Sequence, residues 1–316
     1  MKHALEIKQK WEEKEMASEL AEFFNNLFKN APKGDPDNPH DFAAERAENE
    51  KRLKPEIPAG VTLKELDLNG NYGELITKEG NNGPLVMYIH GGGFTTGAAQ
   101  ERRELTFDIV ANHGSNVIAN NYRLSPENKW PCHLGDCVEA YKAILELGYD
   151  SWDMVLMGES AGATLVLSLG LYLRDHNMPL PGAIVAYSTC CNQDDGFPSH
   201  KENAKTDYML GDAVNRPDQL EAVFGKDATK ELLHSDYVSP YFADFSGMPP
   251  IFLAASDIEA LYDDSAYLYE KLKKEGHPVE LDVPKGLCHA YPIFPDIPES
   301  KETINKTFAF IHKYVR

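Results

Sequence analysis

From residue 85 onward, short apolar runs and longer helix-like stretches take turns along the chain, and this alternation limits the available folds more than any other feature. Residues 85–89, 116–121, 154–157, 183–187, 251–255 and 279–283 are strand-like, and residues 101–112, 134–147, 161–174, 263–275 and 299–314 carry helical patterns. Parallel neighbours need crossover connections, so the order predicts a mostly parallel sheet with helices on both faces. Ahead of it, residues 61–68 alternate polar and apolar side chains. An Asn69-Gly70-Asn71 turn then leads into residues 72–77, which predicts a hairpin and brings the strand total to eight.

The alternation fails in two places. Residues 192–248 contain eleven acidic and five basic side chains and no convincing strand. An excursion of that length inside an α/β domain is normally a lid or cap. Residues 1–30 approach helical spacing through Leu20, Phe23, Phe24, Leu27 and Phe28, stopping at Asn30-Ala31-Pro32, and residues 35–60 form a polar, proline-rich linker with one short helix near 43–53.

Composition excludes several classes. The 316 residues are 42% hydrophobic and carry a formal net charge of −19, with no basic stripe to attract a phosphate backbone, so nucleic acid is a poor partner. The longest apolar runs fall far short of the roughly 20 residues a membrane span requires, so no membrane partner is expected. The charged N-terminus lacks the apolar core of a secretory signal, and a cytoplasmic protein is expected. Cys132, Cys137, Cys190, Cys191 and Cys288 make an odd count without metal-ligand spacing. Reduced thiols fit that compartment, and Cys190-Cys191 reads as two small apolar residues at the end of a buried strand.

Two glycine motifs carry chemistry. Gly158-Glu159-Ser160-Ala161-Gly162 lies between a strand and a helix, the context of a G-x-S-x-G nucleophile elbow, although the pattern alone arises by chance in about one chain in ten. His90-Gly91-Gly92-Gly93-Phe94 follows another strand and is rarer, about one chain in several hundred. Consecutive glycines turn backbone N–H groups inward, and those of Gly92 and Gly93 with that of Ala161 predict an oxyanion hole. A phosphate-binding loop is disfavoured because no G-K-S/T or G-x-G-x-x-G opens a helix.

A serine nucleophile needs a base oriented by a carboxylate, in the chain order serine, acid, histidine. His289 is the one later histidine in a loop just after a sheet strand. His277 falls in a helix-to-strand turn and His312 on the last helix. The acid should follow residues 251–255, where Asp263 and Asp264 suit the first turn of the next helix. Asp257 and Glu259 remain, and spacing does not choose between them.

With these residues in view, the sequence resembles the hormone-sensitive-lipase-like family of α/β-hydrolases over most of residues 61–316. HGGGF at 90–94, GESAG at 158–162 and NYRLSPE at 121–127, similar to the family's DYRLAPE, carry the resemblance. The family's D-P-L-R-D acid segment matches Glu259-Ala260-Leu261-Tyr262-Asp263, which implies Glu259 as the acid ahead of Asp257. Asn121 stands where the family has aspartate.

The resemblance implies an α/β-hydrolase fold with an eight-stranded sheet and a helical cap. Residues 56–191 and 249–316 would be the catalytic domain, residues 1–55 the N-terminal part of the cap, and residues 192–248 its insertion. It implies a carboxylesterase acting on short acyl esters such as acetyl or butyryl, needing no metal or cofactor, whose partner is the small-molecule ester and sometimes a second copy of the chain. The acidic insertion adds a preference for neutral substrates such as acetylated sugars. His90, Gly91, Phe94, Glu159, Tyr208 and Phe224 are further candidates around the motifs and substrate. A non-catalytic receptor and an amidase or peptidase on the same fold are the alternatives.

Overall fold

The structure is a computed structural model that describes residues 17–31, 41–51, 55–194, 196–211 and 217–315. Its strands are β1 (Val61–Leu68), β2 (Asn71–Lys78), β3 (Leu85–Ile89), β4 (Val117–Asn120), β5 (Met154–Glu159), β6 (Ala183–Tyr187), β7 (Ile251–Ala254) and β8 (Val279–Asp282). They form one eight-stranded sheet in the order β1-β2-β4-β3-β5-β6-β7-β8. β2 is antiparallel to β1 and β4, and every other pairing is parallel. The chain steps outward from β3 to β4, then returns to place β5 on the other side of β3. Loops leaving β3 and β5 therefore meet at a switch point, where α/β sheets open a crevice.

Every residue of β3, β5, β6 and β7 is buried, which is why these strands read as continuous apolar runs and not as alternating ones. One face sends Met87, Ile89, Leu156, Ile184 and Leu253 into a core shared with α4 (Cys132–Glu146), α5 (Ala161–Asp175) and α9 (Tyr262–Lys274). The opposite face sends Val86, Tyr88, Val155, Met157, Val185 and Phe252 against α3 (Arg103–Asn112) and α10 (Pro298–Tyr314). Each fully buried Leu, Ile or Val contributes about 1.5–3 kcal/mol relative to exposure. α5 is buried at every position from Ala161 to Leu171, so the helix that follows Ser160 is held on all sides.

Helix starts differ from expectation by two residues or so. The stretch expected to begin at 101 opens as a 3₁₀ turn, Ala99–Arg102, before α3, because the Ala99 N–H is held at 2.7 Å by Asn121 Oδ1 at the end of β4. Asparagine thus does at this strand end what an acceptor oxygen requires, and its Nδ2 donates to Gln100 Oε1.

The excursion between β6 and β7 contains three short α-helices among its described residues, α6 (Ser199–Glu202), α7 (Pro217–Phe224) and α8 (Lys230–Leu233), with a 3₁₀ turn at Pro240–Phe242 and no strand. Near the N-terminus lie α1 (Glu19–Asn30) and α2 (Phe42–Glu50). The helical expectation for residues 1–16 falls outside the described residues. α1 is capped by Ser18 and packs Leu20, Phe24 and Phe28 against Leu287, Tyr291 and Phe294, while Asn25 Nδ2 donates to Gly286 O at 2.7 Å. No helix among the described residues is long and apolar enough to cross a membrane.

Candidate active site

Ser160 sits in the sharp turn between β5 and α5 with φ 55° and ψ −125°. A non-glycine residue is rarely held there, at a cost of about 1–3 kcal/mol. The turn is fixed by the Ser160 N–H donating to Tyr187 O at 2.9 Å and by backbone packing that tolerates no side chain on either flank. A Cβ on Gly162 would meet Ile89 O at 2.1 Å, and one on Gly158 would meet Gly162 O at 2.6 Å. The motif glycines are thus contact requirements between β3, β5 and α5.

The loop after β3 passes directly over this turn. Gly92 and Gly93 have φ 113° and 59°, and the Gly92 carbonyl is taken by the N–H groups of Thr95 and Thr96. The N–H groups of Gly92, Gly93 and Ala161 donate to no group among the described residues. That of Gly91 is already committed to Glu159 Oε1 at 2.6 Å. His90 does not face the cavity. Its ring stacks on Tyr122 with centroids 4.4 Å apart, Nδ1 lies 2.7 Å from Gly91 O, and burial pushes the imidazole down to about 4. Glu159 lines the cavity beside Arg102. Its carboxylate accepts from Tyr88 Oη and from Arg102 Nε, both at 2.5 Å, as well as from Gly91. Held through both oxygens by these three donors, the carboxylate braces the loop.

Across the crevice, His289 Nδ1 lies 2.8 Å from Glu259 Oε2. Glu259 Oε1 accepts from Ser256 N at 2.8 Å and Ser188 Oγ at 3.1 Å, and Ser188 Oγ in turn accepts the Ala290 N–H at 3.0 Å. Burial pushes the Glu259 carboxyl up from its ordinary value, and the bond to His289 opposes that push. Burial pulls the His289 imidazole down, but the hydrogen bond and charge of Glu259, with the charges of Asp207 and Glu159, outweigh it and the net direction is upward. His289 Nε2 is buried without a partner among the described residues. Asp257 is directed elsewhere, its Oδ1 accepting the Gly286 N–H at 2.7 Å.

Ser160 and His289 line one cavity of about 390 Å³, together with Gly92, Gly93, Phe94 and Ala161. Val223 and Phe224 of α7, Met209, Leu261 and Ile293 make its walls largely apolar. Of the aromatic candidates, Phe94 and Phe224 reach the cavity and Tyr208 does not. The Tyr208 ring lies under the Lys29 ammonium, 5.3 Å from its centroid, because α1 passes close outside that segment and offers it a cation. Sequence reasoning missed Ser188, Ser256 and Arg102. Ser188 carries a faint signal, since it directly follows a sheet strand on the edge where the other loops meet. Arg102, like the other two, belongs to no recognisable motif.

Fold and site together define an α/β-hydrolase, and known proteins agree. A sequence model of the α/β hydrolase fold matches residues 86–293. An acetyl-hydrolase of Streptomyces hygroscopicus is 30% identical over 231 residues, 73% of this chain and 76% of that protein. An esterase of Acinetobacter venetianus is 29% identical over 255 residues, 80% of this chain and 82% of that protein. A solved esterase from the bacterial hormone-sensitive lipase family superposes with a TM-score of 0.83 at 27% identity, covering 95% of this chain and 100% of that one. The chain belongs to the hormone-sensitive-lipase-like family of α/β-hydrolases and is a carboxylic ester hydrolase.

Proposed function

We propose that the protein hydrolyses short-chain acyl esters through an acyl-enzyme on Ser160. His289 Nε2 takes the Ser160 proton as Oγ attacks the ester carbonyl. The tetrahedral oxyanion is held by the N–H groups of Gly92, Gly93 and Ala161, each worth about 3 kcal/mol by analogy with measured deletions of single donors. The imidazolium then gives its proton to the leaving alcohol, and water reverses the sequence to release the acid. Glu259 fixes the tautomer that leaves Nε2 free to accept, and it stabilises the imidazolium. The observation that carries this reading is the His289 Nδ1 to Glu259 contact at 2.8 Å, which leaves Nε2 as the acceptor beside the cavity Ser160 shares.

Small acyl groups are supported by a relative named an acetyl-hydrolase. In this reading residues 1–55 and 192–248 act as the cap over a catalytic domain of residues 56–191 and 249–316. The acidity of the insertion disfavours anionic substrates and leaves neutral esters, acetylated sugars among them.

A panel of p-nitrophenyl esters from acetate to palmitate, with Ser160→Ala as control, tests the proposal. Turnover falling steeply beyond butyrate and vanishing in the variant supports it. Undiminished turnover in Ser160→Ala removes the serine nucleophile, and faster turnover of anilides than of esters points to an amidase.

A further inference from the structure

A fourth polar element lies behind the acid loop and comes from the excursion between β6 and β7. Residues 203–207 lie along residues 257–260 and match their polar backbone groups. Asn203 Nδ2 donates to Asp257 O at 3.1 Å and to Glu259 O at 3.0 Å, and Thr206 Oγ1 donates to Ile258 O at 3.0 Å. Asp207 Oδ2 accepts the N–H of Ala260, the residue after Glu259, at 2.8 Å. Its other oxygen, Oδ1, accepts the N–H groups of Met209 and Leu210, which line the cavity. Asp207 is 2% exposed and does not line the cavity itself.

From this geometry we infer that Asp207 is a positioning residue for the reaction, tying the cavity wall to the acid loop and setting the charge around the Glu259–His289 pair. The inference rests on the reading of Ser160, His289 and Glu259 given above. A buried carboxylate next to the acid does two separable things. It holds the Glu259 backbone in place, and it adds a second negative charge that favours the protonated imidazole.

The ionisable groups around His289 come from four places. They are Glu259 after β7, Asp207 from the excursion, Glu159 at the end of β5 with its counter-ion Arg102, and the neighbouring Cys288 and Tyr291 on the histidine's own loop. Burial lowers the His289 pKa, while Glu259, then Asp207, then Glu159 raise it. The base must be neutral, so activity is lost as pH falls through that value. Removing the Asp207 charge makes the imidazolium less favourable, and the acid limb of kcat/KM moves to lower pH.

The test compares Asp207→Asn, Asn203→Ala and Glu259→Gln on p-nitrophenyl acetate across pH. Asp207→Asn is expected to lower kcat about ten- to a hundred-fold with KM little changed, and to move the acid limb down by about half a pH unit or more. Asn203→Ala removes neutral hydrogen bonds only, so it lowers kcat without moving the limb. An Asp207→Asn limb that stays where the parent's lies overturns the inference, provided Glu259→Gln is strongly impaired. A fully active Glu259→Gln overturns the triad reading instead, so the two failures are distinguishable. Should Asp207→Asn not fold, Asp207→Ser removes the same charge with a smaller side chain, and the limb is read there.

Discussion

The two halves of the site are built differently. On the Ser160 side, the backbone of β3, β5 and α5 is packed so closely that glycine is obligatory, with a Cβ at Gly162 placed 2.1 Å from Ile89 O. On the His289 side, the acid and base loops are held by hydrogen bonds from side chains far away in sequence. Ser188, Asn203 and Asp207 reach the acid loop, Asn25 of α1 reaches Gly286, and no glycine contact is decisive. The first half is rigid by exclusion. The second is rigid only as long as its hydrogen bonds are made, so it is the half through which activity can be tuned.

That contrast can be broken at several points, most severely at the nucleophile. Ser160→Ala is expected to lower kcat by about 10⁴-fold or more, with only the weak rate that oxyanion donors and binding sustain. On the other half, Glu259→Gln is expected to cost about 10³- to 10⁴-fold in kcat, while Asp257→Asn stays within about threefold. Equal losses in the two carboxylate variants would show that the acid loop works as a whole and not through the Glu259 contact.

The Ser160 half should fail through structure where the His289 half fails through chemistry. Gly162→Ala is expected to destabilise the fold by about 2–3 kcal/mol, seen as a lower urea midpoint at unchanged slope. An unchanged midpoint would mean that β3 and α5 can separate and that the packing is looser than described.

Much of the Ser160 half was legible in the sequence, because close backbone approach leaves glycine as its only solution and glycine runs are visible. The sheet was legible for a related reason: strands buried on both faces must be continuous apolar runs, as residues 85–89 and 183–187 are. The His289 half was much less so. A carboxylate that accepts a backbone N–H from a distant loop, as Asp207 does from Ala260, can come from any segment that folds near it, and 53 positions separate the two. Two carboxylates two residues apart, Asp257 and Glu259, are indistinguishable until the loop's path is known. Tyr208 failed as a cavity residue for the same reason, since only the placement of α1 puts Lys29 over its ring.

Smaller effects sharpen the picture of the second half. The acid limb of kcat/KM should lie above the ordinary imidazole value of about 6.5, because Glu259, Asp207 and Glu159 together outweigh burial in raising His289. In a pH series, a limb below that value would mean that burial wins. Asn25→Ala, which frees the Gly286 carbonyl on the histidine loop, should cost about 1 kcal/mol of stability, read in the urea midpoint, and slow turnover modestly. No effect on either would show that α1 lies on that loop without supporting it.

The most direct test is to mix the protein with p-nitrophenyl acetate, quench early in turnover and map covalent mass by peptide. The account predicts one added acetyl group on the peptide containing Ser160, absent from Ser160→Ala and longer-lived in Glu259→Gln. Acetyl on a different residue, or full turnover with Ser160 replaced, would contradict it.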